Sequence, residues 1–275
     1  MADHGDPATC LEVDEDDPTL GDEIASSTQS LQSSLLKFEF ENGRRYHAFQ
    51  SGRYAFPNDE DELERMDLEH QIFLMLLDGQ LHLAPLTSPQ RILDLGTGTG
   101  VWAVDMADKY PSATVLGTDL SPVQPRVVPP NAQFQVDDFE LEWTFRENSF
   151  DMIHWRLLLA SVSDYPTLVR NAFNHLKPGG YLEIHDLDPG FYSDDNSIPE
   201  GSSALHWSEC FYQGCAKAGR TIPPIEQYRT FLEDAGFENI HVVLLKRPQN
   251  VWPKDRRLKR IGMVIEADNR FMSRE

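Results

Sequence analysis

The amino-acid sequence predicts an α/β fold with a mainly parallel, twisted sheet and helices on both faces. From Arg91 onward, short apolar runs alternate with amphipathic helical patterns, which is typical of βαβ units with right-handed crossovers. The chain has 275 residues, 40% of them hydrophobic, and can bury a sizeable core. Three alternating glycines, at 96, 98 and 100, directly follow the first of these apolar runs. Such a break between strand and helix is typical of a nucleotide pocket in a parallel sheet.

Each element follows from a local pattern. A helix is expected from Glu60 to Asp78, where apolar residues recur every three or four positions and Gly79 ends the pattern. Four prolines between the second and third sheet strands exclude a helix there. The later helices are predicted at 99–110, 164–176, 202–219, 225–235 and 257–269. Sheet strands are predicted at 91–95, 113–118, 132–136, 149–155, 180–186 and 239–245.

The spacing of the glycines and acids indicates which nucleoside the pocket holds. A dinucleotide fingerprint would need its third glycine at position 101, which is Val101. Asp119, on the loop after the second strand, stands where an acid binds both ribose hydroxyls. Asp94 would repel a pyrophosphate but could balance a cationic amino-acid tail. S-adenosyl-L-methionine has such a tail and no phosphate, and is therefore the expected cofactor.

The run Asp94-Leu-Gly-Thr-Gly-Thr-Gly100 makes the chain resemble the class I S-adenosylmethionine-dependent methyltransferases, which have a Rossmann-like fold. Further segments match this family after the third strand, in the fourth strand and at the turn into the fifth: Asp137-Asp138, Phe150–His154 and Leu176–Ile184. More narrowly, from about residue 38 to 262, the chain resembles the LaeA-like methyltransferases of filamentous fungi. The segments behind that narrower resemblance are Glu41–His47, Gly117–Pro122, Pro129–Asn131, Asp137-Asp138 with Trp143, and Trp252–Asp255.

The resemblance implies a set of site residues. The expected cofactor-binding residues are Asp94, Gly96, Thr97, Gly98, Gly100, Asp119, Leu120, Asp137, Asp138 and Phe139, the last three around the adenine. The candidates for catalysis are His154 and His185, from their places at the carboxyl edge of the sheet, and Tyr46, from a segment that matches the family. A base is needed only for a hydroxyl or a protonated amine acceptor. His154 lies in an apolar strand and could instead be a hydrogen-bonded core residue. The resemblance also implies that the helix near residues 60–78 lies over the cofactor cleft.

The charge is unevenly distributed. The net charge is −21, and residues 1–30 contain nine acids and no Lys or Arg. We expect an acidic disordered tail at 1–37, a helical cap segment at 38–90 and the methyltransferase domain at 91–275. The acidic balance argues against nucleic-acid binding. No apolar stretch approaches the roughly 20 residues that span a bilayer, so no membrane association is expected. The Cys and His spacing indicates no metal site.

The C-terminal part departs from the family pattern. Class I members insert an antiparallel seventh strand between the fifth and sixth, whereas residues 246–275 contain only a basic segment and one helical pattern. The chain is therefore expected to lack the seventh strand, as a truncated product of weakened stability, because its neighbours would lose hydrogen-bonding partners.

The sequence is compatible with three functions. The first is a methyltransferase of fungal secondary metabolism (EC 2.1.1.-) with a small-molecule acceptor in a pocket shaped by Trp143, Trp155, Phe191, Tyr192 and Trp207. The second is a LaeA-like nuclear regulator of secondary-metabolite genes, which works in a protein complex and methylates protein or itself. The third is a truncated, inactive relative. The expected location is cytoplasmic or nuclear, since Lys254–Arg260 could be an import signal or a solvated helix face.

Overall fold

The computed structural model describes residues 38–50, 54, 56–220 and 222–272, so the expected acidic tail at 1–37 lies outside the described residues. The described chain begins with an antiparallel hairpin, β1 (Phe38–Glu41) and β2 (Arg44–His47). Helix α1 (Glu60–Leu76) follows, and its N-cap Asp59 accepts a hydrogen bond from the Glu62 amide. The sequence pattern predicted α1 but not the hairpin.

A five-stranded, all-parallel sheet forms the centre of the molecule, with the strand order β5-β4-β3-β6-β7. This sheet and its helices confirm the predicted α/β class. Strands β3 and β5 match their predicted bounds, β4 and β6 lie one residue later, and β7 begins four residues earlier. The strands are β3 (Arg91–Leu95), β4 (Thr114–Asp119), β5 (Ala132–Val136), β6 (Phe150–Arg156) and β7 (Leu176–His185).

Helices cover both faces of the sheet. On one face, Trp102 and Met106 of α2 pack against Ile92 and Met152 of the strands. On the other face, α3 packs against alternate strand residues such as Ile153, and α5 packs on α3. The period of two along the strands thus separates two buried cores. The helices after α1 are α2 (Val101–Lys109), α3 (Tyr165–His175), α4 (Ser203–Lys217), α5 (Ile225–Ala235) and α6 (Arg256–Met272).

Helix α6 returns to the N-terminal side of the molecule and packs on α1. The contact joins apolar residues of both helices, and Arg247 forms ion pairs at 2.7 Å with Glu69 and 3.3 Å with Asp268. Both carboxylates are buried. The basic segment that the sequence singled out is therefore partly internal, because Arg257 also donates to the Leu76 carbonyl at the end of α1.

The predicted strand at 239–245 is wrong. The structure has no strand there, and Val243 and Leu244 are 57% and 74% exposed. Strand β7 is the last strand of the sheet in the described part of the chain. The apolar run at 242–245 has the composition of a strand, but a strand also needs a hydrogen-bonding neighbour, and none lies beside this segment.

Candidate cofactor site

The glycine loop joins β3 to α2 and gives the site its shape. Gly96, Gly98 and Gly100 have φ angles of +62°, +57° and +80°, in the left-handed region that favours glycine. A Cβ atom on Gly98 would lie 2.3 Å from Met66 Cε, and one on Gly100 would lie 2.5 Å from the Phe134 ring. Gly100 is also the N-cap of α2. The loop therefore brings bare backbone and a helix N-terminus to one place, which is suited to a closely held ligand.

Asp119 connects the glycine loop to the end of β4. Its Oδ2 accepts a hydrogen bond from the Gly98 amide at 2.8 Å, and its Oδ1 accepts one from the Ser121 amide at 2.9 Å. Burial raises the pKa of Asp119 to about 6, although the two amide donors favour the carboxylate. Leu120, the next residue, lines the same cleft. The carboxylate is fixed at the carboxyl edge of the sheet, where a ribose binds in folds of this kind.

Asp94 lies beneath the glycine loop and is only 3% exposed. Thr97 donates its hydroxyl to Asp94 Oδ2 at 2.6 Å, and Asp94 Oδ1 lies 2.7 Å from His154 Nδ1. Burial raises the pKa of Asp94 to about 7, against the hydrogen bond from Thr97 and the nearby Arg156 charge. A cationic ligand group beside Asp94 would favour the carboxylate.

The three adenine candidates follow β5 and adjoin the ribose candidate. The Asp137 amide donates to the Asp119 carbonyl at 3.0 Å, and Asp137 Oδ1 accepts from the Asp138 amide at 2.9 Å. Asp138 is buried, and its Oδ1 accepts from the Glu140 amide. The Phe139 ring lies 3.9 Å from the position of a Cβ on Gly96. The structure thus brings all ten predicted cofactor residues together around one loop system.

Two of the three catalytic candidates, His154 and His185, lie in contact with each other. His154 is fully buried, stacks on Trp102 with ring centroids 3.7 Å apart, and lies 3.3 Å from His185 between ring nitrogens. This placement matches the alternative of a hydrogen-bonded core residue for His154. Tyr46 lies in β2 opposite Glu39. Within the described ranges, no hydrogen bond, ion pair or ring contact joins Tyr46 to either histidine or to the glycine loop.

Several residues of the site were missed from the sequence. Asn58 donates to the Ser121 hydroxyl at 3.2 Å, and Gln124 donates to the Gly98 carbonyl at 2.7 Å. Thr99 donates to Asp67 of α1 at 2.7 Å, so α1 lies over the glycine loop as expected. Each of these contacts joins segments more than 20 residues apart. A single sequence contains no local signal for them.

The aromatic residues expected around the acceptor fall into separate groups. Trp155 is fully buried in the core, and Trp143 donates its indole N–H to the Phe139 carbonyl behind the adenine candidates. Phe191, in the loop after β7, and Trp207 of α4 contact each other at 5.8 Å between ring centroids. The fifth member of the set, Tyr192, donates its hydroxyl to Asp188. Only the last three border the open side of the cleft beyond β7.

Comparison with known proteins decides the family. A model described as a methyltransferase domain matches residues 68–242. The chain belongs to this methyltransferase family. It is 40% identical over 265 residues to methyltransferase pytC of Aspergillus terreus, covering 96% of this chain and 81% of the relative. This membership confirms the predicted enzyme class, an S-adenosyl-L-methionine-dependent methyltransferase.

Two further relatives of the methyltransferase have names that refer to LaeA or to regulation. The secondary metabolism regulator LAE1 of Cochliobolus heterostrophus is 43% identical over 228 residues, covering 81% of this chain and 74% of the relative. The protein-methionine methyltransferase laeA of Emericella nidulans is 38% identical over 245 residues, covering 88% of this chain and 65% of the relative. These matches confirm the LaeA-like resemblance.

Among solved structures, the methyltransferase is similar to a chain in the complex with the Trm112 methyltransferase activator of Haloferax volcanii. The TM-score is 0.50 at 18% identity, over 76% of this chain and 96% of the other, which concerns the fold alone. In the described ranges, no helix is long and apolar enough to cross a membrane. The same residues contain no group of three or more His, Cys, Asp or Glu side chains that could hold a metal ion.

Proposed function

We propose that this methyltransferase transfers a methyl group to a small-molecule acceptor of fungal secondary metabolism and holds its cofactor on the glycine loop. The supporting observation is the hydrogen bond from the Gly98 amide to Asp119, which fixes a carboxylate beside the glycine loop. A Cβ atom on Gly98 or Gly100 would lie within 2.5 Å of a neighbouring side chain. The 40% identity to pytC extends over nearly the whole chain and supports an enzymatic role. We retain residues 38–90 as a cap segment and 91–275 as the catalytic domain.

The residues around the loop fit S-adenosyl-L-methionine chemically. Asp119 has unused lone pairs that can accept both ribose hydroxyls. Asp94 is the nearest acid to the glycine loop on the β3 side and would balance the amino group of the methionine tail. Asp137, Asp138 and Phe139 offer polar acceptors and one ring face for adenine. The three loop glycines have positive φ angles and carry no side chains, so the cofactor can lie directly on the peptide groups.

The chemistry requires mainly alignment. When bound, the cofactor supplies an electrophilic methyl group on a sulfonium. The chain must hold the acceptor in line with that methyl and exclude water. Helix α1 closes one side of the loop through Asp67 and Met66. Phe191 and Trp207 offer an apolar wall on the open side. The burial of His154 favours a positioning role for it over direct proton abstraction.

A second candidate function has its own support. One of the relatives above is named as a regulator of secondary metabolism and another as a protein-methionine methyltransferase. Lys254, Arg256, Lys259 and Arg260 form an exposed basic face on and beside α6. A protein acceptor or a regulatory complex in the nucleus would use such a surface. Under this alternative, the labelled product is a protein, and the tagged chain lies in the nucleus rather than the cytoplasm.

The test is methyl transfer from labelled S-adenosyl-L-methionine into a fungal extract, separated into small-molecule and protein fractions. The proposal predicts label in the small-molecule fraction with the wild type and its loss with Asp119→Ala. Glu147→Ala, at an exposed acid away from the site, is the matched control and should retain activity. Label in protein alone would favour the regulator. Equal labelling by wild type and Asp119→Ala would refute the site.

A further inference from the structure

Four titratable side chains form one continuous hydrogen-bonded chain across three neighbouring strands. Asp94 Oδ1 lies 2.7 Å from His154 Nδ1, His154 Nε2 lies 3.3 Å from His185 Nδ1, and His185 Nε2 lies 2.7 Å from Glu183 Oε1. The register of the sheet places His154 opposite both Asp94 and Glu183. We name these residues the β3–β7 relay.

The relay is enclosed and fixed at both ends. Asp94, His154 and His185 are 3%, 0% and 9% exposed. Trp102 stacks on His154, and Phe73 stacks on His185. At one end Thr97 donates to Asp94 Oδ2. At the other end, two backbone amides, of residues 83 and 84, donate to the Glu183 carboxylate at 2.7 Å each.

Glu183 sets the direction of the hydrogen bonds. Burial raises its pKa, but the hydrogen bond and the charge of His185 and the two amide donors outweigh burial and lower it. Glu183 is therefore a carboxylate that only accepts, and His185 Nε2 must carry a proton. The remaining bonds can then be satisfied in two ways.

In the first arrangement Asp94 is a neutral carboxyl that donates to His154 Nδ1. His154 then donates from Nε2 to His185 Nδ1, and His185 is neutral. In the second arrangement Asp94 is a carboxylate, His154 is protonated on Nδ1, and His185 is an imidazolium paired with Glu183. Both arrangements contain the same number of protons and satisfy every hydrogen bond. The total charge of the relay is the same in both, but the second arrangement separates a negative charge on Asp94 from a positive charge on His185.

We propose that the β3–β7 relay transfers a proton from Asp94 toward His185 when a cationic ligand group binds beside Asp94. The Asp94 proton passes to His154 Nδ1, and the proton on His154 Nε2 passes to His185 Nδ1. Asp94 becomes a carboxylate, His185 becomes an imidazolium, and no proton leaves the protein. This inference rests on the proposed function, because the cation is the amino group of the cofactor tail.

The surroundings of Asp94 and His154 favour movement of the proton along the relay. Burial raises the pKa of Asp94 to about 7, near neutral pH. Burial and the neighbouring His185 and Arg156 charges hold the pKa of His154 well below its usual range, so His154 passes a proton on without keeping it. Other titratable groups face the relay from the packed elements: His70 of α1, His82 of the following loop, Asp105 and Lys109 of α2, Asp119 of β4 and Arg156 of β6.

Proton-linked calorimetry tests the transfer. S-adenosyl-L-methionine is titrated at pH 6 in buffers of low and high ionisation enthalpy, where its α-amino group is already protonated. Asp119, whose pKa is about 6, should release about 0.5 protons in the wild type and in His185→Gln alike as it accepts the ribose hydroxyls, and the wild-type relay should add none. His185→Gln keeps a donor for Glu183 but cannot take up a proton. With a pKa of about 7, Asp94 should then release about 0.9 protons to solvent in addition to those from Asp119.

His175→Gln is the matched control. This buried histidine bonds to the Asn171 and Phe145 carbonyls outside the relay, and its variant should behave as the wild type. Equal proton release by the wild type and His185→Gln would overturn the transfer.

Nitrogen NMR of the wild-type imidazoles gives a second readout that needs no variant. Ligand binding should move the His154 proton from Nε2 to Nδ1 and place protons on both nitrogens of His185. Binding with unchanged protonation of both rings would refute the relay and leave the cofactor site intact. Failure of the wild type to bind S-adenosyl-L-methionine at all would refute the proposed function, and the transfer with it.

Discussion

Replacement of Asp186 by Asn should remove a pH-dependent loss of stability. Asp186 follows β7, its Oδ1 accepts from the Leu187 amide at 3.0 Å, and its Oδ2 accepts from the Tyr228 hydroxyl at 3.2 Å. Burial raises its pKa from 3.8 to about 7, although these donors favour the carboxylate. Between those two values the folded state binds more protons than the unfolded state. Stability from this group is therefore present at low pH and is lost as the pH rises toward 7.

The magnitude follows from the same shift. Each pH unit below the folded pKa is worth about 1.4 kcal/mol. Between pH 5.5 and 7.5, the Asp186 carboxyl of the folded protein should cost about 2 kcal/mol of stability. Urea unfolding of the wild type and Asp186→Asn at both pH values measures this quantity. The free-energy difference between the two proteins should change by about 2 kcal/mol in favour of the variant as the pH rises.

Asp188→Asn is the control, because the pKa of Asp188 is shifted in the opposite direction to that of Asp186. Hydrogen bonds from Tyr192, the Gly190 amide and Tyr212 lower the pKa of Asp188 against the effect of burial. Its stabilising effect is therefore constant between pH 5.5 and 7.5 and is lost only in acid. A wild-type to Asp186→Asn difference that is equal at both pH values would refute the reasoning, as would an equal pH effect from Asp188→Asn.

Two further substitutions test the loop and the helix contact. Gly98→Ala forces a side chain into φ +57° and against Met66, and should weaken S-adenosyl-L-methionine binding at least about tenfold in calorimetry. Adding Met66→Ala to the Gly98→Ala variant should restore part of the lost affinity. No recovery would mean that the loss comes from backbone strain alone. Arg247→Met leaves the Glu69 carboxylate without its closest partner and should destabilise the fold by about 3 kcal/mol in urea. Lys254→Met, at an exposed cation, should change stability by less than about 0.5 kcal/mol, and equal effects of the two would contradict the buried pairing.

The sheet and the glycine loop were accessible from the sequence because their signals are local. Apolar runs bounded by glycine or proline predicted the five parallel strands, and the spacing of three glycines after Asp94 predicted the loop. Asp119 followed from its position at the end of the second strand. These features depend on a few consecutive residues, so one chain without an alignment shows them.

Other parts depend on contacts between distant segments. The β1–β2 hairpin is held against the start of α1 by the Arg44 to Asp59 ion pair at 2.6 Å, which no local pattern indicates. The segment at 239–245 has strand composition but no neighbour to pair with. The relay depends on the register of β6 between β3 and β7. The sequence therefore indicates His154 and His185 only as separate residues, without the contact between them.

Calorimetric titration of the wild type and Asp119→Ala with S-adenosyl-L-methionine and with NAD tests the cofactor site most directly. The account predicts binding of S-adenosyl-L-methionine by the wild type and no binding of NAD, because Asp94 and the glycine spacing disfavour a pyrophosphate. Loss of the charged acceptor in Asp119→Ala should cost about 1.5 to 3 kcal/mol, a decrease of about 10- to 150-fold in affinity. Tight NAD binding, or an S-adenosyl-L-methionine affinity unchanged by the substitution, would contradict it.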